Sequence, residues 1–261
     1  MKIAKDELSI NTDKTDNIQV ESNVFFRKHS LEVLKPFVSL EILSAHDLHN
    51  AGTISSGTAV ITYVLAGEAL FSDSTGNSDT LKQEDWSWVI SGNGIRNSIE
   101  PLTPNFKCIQ VGIALSPALE NSSPQSRYVR IGTAPFHKQV RILIGWYEQD
   151  RSQFAFPAGA NYLAVHLKSG DSWSYDLPLN HKFSWAFVVS GQVKTNSRKH
   201  NPGELIYTAR GDDKLSVRAL ADSVLVVGSA IEFGYDLVFH ESSVHTSPES
   251  LRNALAAYTR T

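Results

Sequence analysis

The sequence predicts an all-β protein made of two tandem jelly-roll barrels and a single C-terminal helix. Three observations predict it. Short apolar runs rich in Val, Ile, Tyr, Phe and Trp recur between residues 24 and 229, and Gly, Asn, Asp and Ser separate them. Two blocks of the chain repeat each other at a nearly constant offset. Helical periodicity is confined to residues 246–261.

The elements follow in chain order. Residues 1–20, MKIAKDELSINTDKTDNIQV, are polar and charged and read as a frayed arm or an edge segment. A first module is expected over 21–128. Its strand-like runs are VFF at 24–26, PFVSLEIL at 36–43, AVITYVL at 59–65, WSWVI at 86–90 and CIQVGIAL at 108–115. Trp86, Trp88 and Ile90 fall on one strand face, with Ser87 and Val89 on the other. AVITYVL lacks such alternation, so both its faces should be covered. The polar stretch PALENSSPQSR at 117–127 reads as the linker. A second module is expected over 129–245, with runs VRILIGW at 140–146, YLAVHL at 162–167, WAFVVS at 185–190, ELIYTA at 204–209 and SVLVVGS at 223–229. The helix of 246–261 is signalled by Thr246 and Glu249 at capping-box spacing and by Pro248 near the first turn. Leu251, Ala254, Leu255 and Tyr258 then recur on one face.

The repeat ties the modules together. YVLAGEA at 63–69 matches FVVSGQV at 187–193, and QEDWSWVISG at 83–92 matches PGELIYTARG at 202–211. The paired glycines, Gly67 with Gly191 and Gly92 with Gly211, lie 124 and 119 residues apart. A strand, a glycine turn, a second strand and an acid-marked corner form the plan of the small jelly-roll barrel of the cupin type.

Composition narrows the function. Lys and Arg number 24 against 27 Asp and Glu, which removes the electrostatic footprint of a general nucleic-acid binder. Cys108 is the only cysteine, so no internal disulfide and no thiolate zinc cage is expected. No apolar run suits a signal peptide or a spanning helix, so a cytoplasmic, membrane-free protein is expected, with a monomer as the default. Nine histidines keep a histidine metal site in view.

Five blocks resemble the pirin family of two-cupin proteins. LKPFVSLEIL at 34–43 is similar to the family's early L-D-P-F-L stretch, and ITYVLAGEALFSDSTGN at 61–77 to its V-T-Y-V-L-x-G segment. EDWSWVISGNGIRNS at 84–98 resembles the segment ending A-G-x-G-I-x-H-S. IQVGIALSPALENSSP at 109–124 and the C-terminal stretch 231–258 resemble the two later blocks. The resemblance implies a metal site of three imidazoles and one carboxylate holding iron or a similar divalent ion. Carried over by motif, the four positions fall on Thr53, Ser55, Asn97 and Ile99. Hydroxyl and amide oxygens are weak neutral ligands for a transition metal, and Ile offers no donor. In the second module the two offsets carry them to Leu177, Leu179, Ser216 and Arg218, which form no ligand set either.

The remaining histidines, Cys108 and two tryptophans are further candidates. His46, His49 and Glu100 flank the mapped positions and could form a relocated site, although Glu100 should point opposite to Ile99. His181 precedes a strand and could line a pocket. His137, His166, His200, His240 and His245 show no ligand spacing, and Cys108 reads as core packing, as do Trp86 and Trp88. The expectation is a pirin-like bicupin with a degenerate metal site, no predicted cofactor, and a small-molecule or regulatory-protein partner. The alternative is an oxygenase of the quercetin 2,3-dioxygenase type, using iron or another divalent metal on relocated ligands.

Overall fold

The computed structural model describes residues 34–48, 52–133, 136–152, 159–196, 198–208 and 213–258. The expected arm of 1–20, the run VFF and His49 lie outside the described residues. Twenty-three strands, a short 3-10 turn and one helix follow in chain order among the described residues. Apart from two-stranded hairpins, they form two pairs of antiparallel sheets, each pair in a compact unit of its own.

In the first unit, with strands numbered along the chain, one sheet has the order β1 (Phe37–Ser44), β8 (Lys107–Ala114), β3 (Thr58–Ala66), β6 (Trp86–Ile90) and β9 (Gln125–Val129). The other runs β2 (Thr53–Ser55), β7 (Ile95–Pro101), β4 (Glu68–Asp73) and β5 (Ser78–Lys82). Val64, Ala69, Phe71, Leu81, Phe106 and Cys108 form an apolar cluster inside this barrel. Both faces of β3 and β6 are covered. Trp86 and Trp88 lie opposite Tyr63 and Ile61, on the face away from Val60 and its partner Val89.

In the second unit the larger sheet runs β10 (Phe136–His137), β11 (Val140–Ile144), β14 (Ala160–Leu167), β21 (Ser223–Ile231), β16 (His181–Ser190) and β19 (Leu205–Thr208). The smaller runs β15 (Ser172–Asp176), β20 (Lys214–Ala219), β17 (Val193–Lys194) and β18 (Lys199–His200). The order β14–β21–β16–β19 reproduces β1–β8–β3–β6, and β15–β20–β17–β18 reproduces β2–β7–β4–β5. The duplicated plan read from the sequence is therefore the plan of both barrels. Gly67 and Gly191 close equivalent turns with φ of 68° and 81°, a conformation that favours glycine. The matching acids also share a task. Asp85 accepts the Lys82 amide at 3.0 Å and Glu204 the Asn201 amide at 3.3 Å, each tying the corner three residues before it.

Three expectations are corrected. Residues 117–127 are not a free linker. Their end opens β9, which pairs along β6 and completes the first sheet, because β6 otherwise presents an unpaired edge. Residues 233–245 do not stay with the second module but pack with the first. Val244 donates its amide to Ser56 O at 3.0 Å, and His245 Nε2 bonds Ser56 Oγ at 2.8 Å. The C-terminal helix, α1 (Pro248–Tyr258), is capped by Ser247, whose Oγ accepts the Ser250 amide at 3.1 Å. Thr246, expected as the cap, instead donates its amide and hydroxyl to Glu120 at 2.7 and 2.9 Å. Leu251 and Ala254 are buried as the periodicity predicts.

No helix among the described residues is long and apolar enough to cross a membrane.

Candidate functional site

The first barrel encloses a cavity of about 360 Å³. Thr53, Ser55, Asn97 and Ile99 all line it. Two neighbouring strands bring them together. Thr53 on β2 lies directly opposite Asn97 on β7, and Ser55 lies opposite Ile95. Alternation along each strand then places Thr53 with Ser55, and Asn97 with Ile99, on the cavity side. Ile99 also packs against the apolar cluster around Phe71 and Cys108. The sequence mapping therefore converges on one place, although no pair among these four residues is closer in sequence than two positions.

The facing wall comes from the larger sheet. Glu41 on β1 lies opposite Gln110 on β8, and Gln110 lies opposite Thr62 on β3. Gln110 Nε2 donates to Thr62 Oγ1 at 2.7 Å. Glu41 and Gln110 line the cavity, and burial raises the Glu41 carboxyl above the ordinary carboxylate range. Asp47 reaches the cavity from the turn after β1. Its Oδ2 accepts the Ser44 amide at 2.7 Å and the Ser44 hydroxyl at 2.6 Å. Glu241 adds a carboxylate from the returning C-terminal segment. Cys108 sits in the apolar cluster, and burial pushes its thiol pKa up, with the Asp47 and Glu41 charges acting the same way.

Sequence reasoning missed Glu41, Asp47 and Glu241. A signal for Glu41 existed: it interrupts the apolar run PFVSLEIL, where a charge has no reason to sit unless its strand lines a polar space. Glu241 carried none, because nothing local tells that its segment returns to the first barrel.

The residues present do not fit a transition-metal centre of imidazoles. The ionisable side chains among the lining residues are carboxylates, and the four mapped positions supply two hydroxyls, one amide and the branched alkyl chain of Ile99. Among the described residues no group of three or more His, Cys, Asp and Glu side chains is placed to hold a metal ion. His46 and Glu100, two of the three relocated candidates, are both exposed and are not among the cavity-lining residues. Glu100 alternates away from Ile99 as strand geometry requires.

The second barrel corrects the offset mapping. With the Gly67 and Gly191 turns equivalent, Leu70 opposite Glu100 corresponds to Lys194 opposite Arg218, so Asn97 corresponds to Leu215. Thr53, opposite Asn97, then corresponds to Tyr175, opposite Leu215, and Ser55 to Leu177, rather than to Leu177 and Leu179. The glycine-derived offset fails upstream because the loop before the Gly-marked strand differs in length between the two barrels.

The four mapped positions lie within residues 18–113, the stretch that matches the model of the Pirin family. Over that stretch the chain resembles the family. It is similar to a pirin-like protein of Arabidopsis thaliana, with 25% identity over 193 residues. That match covers 70% of this chain and 60% of the relative, so the chain spans about three fifths of the relative's length. Among solved structures it resembles a quercetin 2,3-dioxygenase from Acinetobacter baumannii, at TM-score 0.79 and 17% identity, covering 91% of this chain and 89% of that one. It also resembles the bacterial pirin YhhW in complex with nickel(II) from Escherichia coli, at TM-score 0.62 and 16% identity, covering 77% and 84%. At such identities the likeness speaks for the pirin-like fold alone.

Proposed function

We propose that this pirin-like bicupin is a non-catalytic small-molecule-binding or regulatory protein whose first-barrel metal site is degenerate. The observation that carries the reading is the convergence of Thr53, Ser55, Asn97 and Ile99 on one cavity whose ionisable lining groups are all carboxylates. A pocket of about 360 Å³ suits a small organic ligand. Gln110, Thr53, Ser55 and Asn97 offer it hydrogen bonds, and Glu41, with its raised pKa, offers a carboxyl that takes up a proton more readily than usual.

The neighbouring reading is a quercetin 2,3-dioxygenase-type oxygenase, which the likeness to the Acinetobacter baumannii protein brings into view. It would need ligands from outside the mapped positions, and the exposed His46 and Glu100 lend it no support. Elemental analysis of protein purified without chelator tests the proposal. Less than about a tenth of an equivalent of transition metal is expected. Stoichiometric metal, or sustained enzyme-dependent oxidation of quercetin, would overturn it.

A further inference from the structure

The second barrel holds a larger cavity, about 810 Å³, that the function proposed above does not use. Tyr175, which stands on β15 where Thr53 stands on β2, lines it together with Ser174 and Asp176. Its groups differ in kind from those of the first cavity.

A one-way relay of hydrogen bonds runs beneath it. The Trp146 amide donates to Asn161 Oδ1 at 3.2 Å, which fixes the orientation of that side-chain amide. Asn161 Nδ2 therefore donates to the Tyr175 hydroxyl at 2.8 Å. Tyr175 has one proton and lies 2.7 Å from Ser229 Oγ, and Ser229 Oγ lies 2.7 Å from His181 Nδ1. All groups are satisfied when Tyr175 donates to Ser229 and Ser229 donates to His181. That assignment leaves the neutral imidazole with its proton on Nε2. Burial lowers the His181 pKa to about 4, so the ring is neutral at pH 7. His181 is 7% exposed and lines the cavity, and its Nε2 has no partner among the described residues. Gly145 makes the relay possible: its φ is 83°, and a Cβ there would fall 2.0 Å from Asn161 Oδ1.

The mouth is apolar and carries one unpaired charge. Trp146, Leu179 and Ile231 line it while 58%, 99% and 39% exposed. Tyr147 and Tyr175 lie side by side, 6.3 Å apart between centroids and 14° from parallel. Asp176 is paired with Lys214 at 3.1 Å, and Glu148 lies 2.9 Å from His137 Nε2. Among the described residues Arg151, directly opposite Trp146 on the β12–β13 hairpin (Trp146–Tyr147 and Asp150–Arg151), has no such counter-ion.

We propose that this second-barrel cavity binds a flat aromatic carboxylate carrying a ring oxygen. Arg151 would meet the carboxylate, the aromatic and aliphatic rim the ring, and His181 Nε2–H the ring oxygen. The apolar rim selects a ring, the cation selects an acid, and the neutral imidazole donor selects an acceptor rather than a second cation.

The full chain is titrated with 4-hydroxybenzoate and 4-hydroxyphenylacetate by calorimetry, with hydrogen exchange to locate the bound probe. Saturable binding is expected, with slowed exchange at 145–151 and 172–181. Arg151→Gln and Trp146→Ala are each expected to weaken binding at least tenfold without changing the melting temperature, since both side chains are exposed. Replacing the acid by its primary amide should cost a similar factor. No saturable binding at millimolar probe, unchanged affinity in both variants, equal affinity for the amide, or protection confined to the first-barrel strands would each overturn the proposal. The location of protection separates this failure from any failure of the first-barrel reading.

Discussion

Replacing Glu120 by Ala should release the C-terminal segment from the first barrel. Glu120 is 2% exposed and accepts two hydrogen bonds from Thr246, at 2.7 Å from the amide and 2.9 Å from the hydroxyl. Its Oε2 also lies 3.6 Å from His245 Nδ1. Hydrogen bonds to a charged acceptor contribute about 1.5–3 kcal/mol each, so the pair supplies about 3–6 kcal/mol gross. Removing the carboxylate also removes the cost of burying it, which brings the expected loss to the low end, about 3 kcal/mol. For a unit of this size that corresponds to a fall in melting temperature of roughly 6–12 °C. Differential scanning calorimetry reads the shift. Hydrogen exchange reads its location, with faster exchange expected across 243–258. Glu120→Gln, which keeps one acceptor oxygen, should lose about half as much. A melting temperature within about 1 °C of the parent, together with unchanged exchange in 243–258, would refute the latch.

Further outcomes follow from the same geometry. Glu41→Leu should raise stability by about 1 kcal/mol at pH 7, because it removes a carboxyl whose burial opposes its ionisation; a lower denaturant midpoint would contradict this. Stability should fall as pH drops from 7.5 to 5.5. Burial lowers the His181 and His245 pKa values below 6.5, so in that window the unfolded chain binds protons the folded one refuses. Their contribution is complete above pH 6.5 and declines toward about 4 for His181; a flat midpoint over that range would count against buried neutral imidazoles. Grafting Thr53→His, Ser55→His, Asn97→His and Ile99→Glu together should create nickel or iron binding at about one equivalent, measured by elemental analysis after dialysis. A folded variant that retains no metal would show that these four side chains do not converge as described.

Much of the fold was legible because burial imposes period and composition on strands. The repeated Gly67 and Gly191 turns and the acids Asp85 and Glu204 gave the duplicated plan, since each does the same local work in both barrels. The positions of Thr53, Ser55, Asn97 and Ile99 were legible through a motif match, and strand pairing places them together. What stayed hidden depends on polar partners far apart in sequence. Glu120 and Thr246 are 126 residues apart, and neither belongs to a periodic pattern. β9 was masked by Ser126 and by the preceding Ser122, Ser123 and Pro124, which suit a linker as well as an edge strand. His181 read as a lone histidine because its meaning lies in Ser229, Tyr175 and Asn161, which come from three other strands.

The return of residues 233–258 to the first barrel has a consequence for how the protein is made. The second barrel, though translated later, has all its described strands once residue 232 has emerged. The first barrel is begun earlier, yet it lacks Val244, His245 and the Glu120 latch until residues 244–246 have emerged. Vectorial synthesis therefore inverts the usual order, in which the N-terminal domain settles first. Premature termination between residues 233 and 243 would spare the later barrel and strand the earlier one unfinished, open along the side where β2 and β3 await their closing segment.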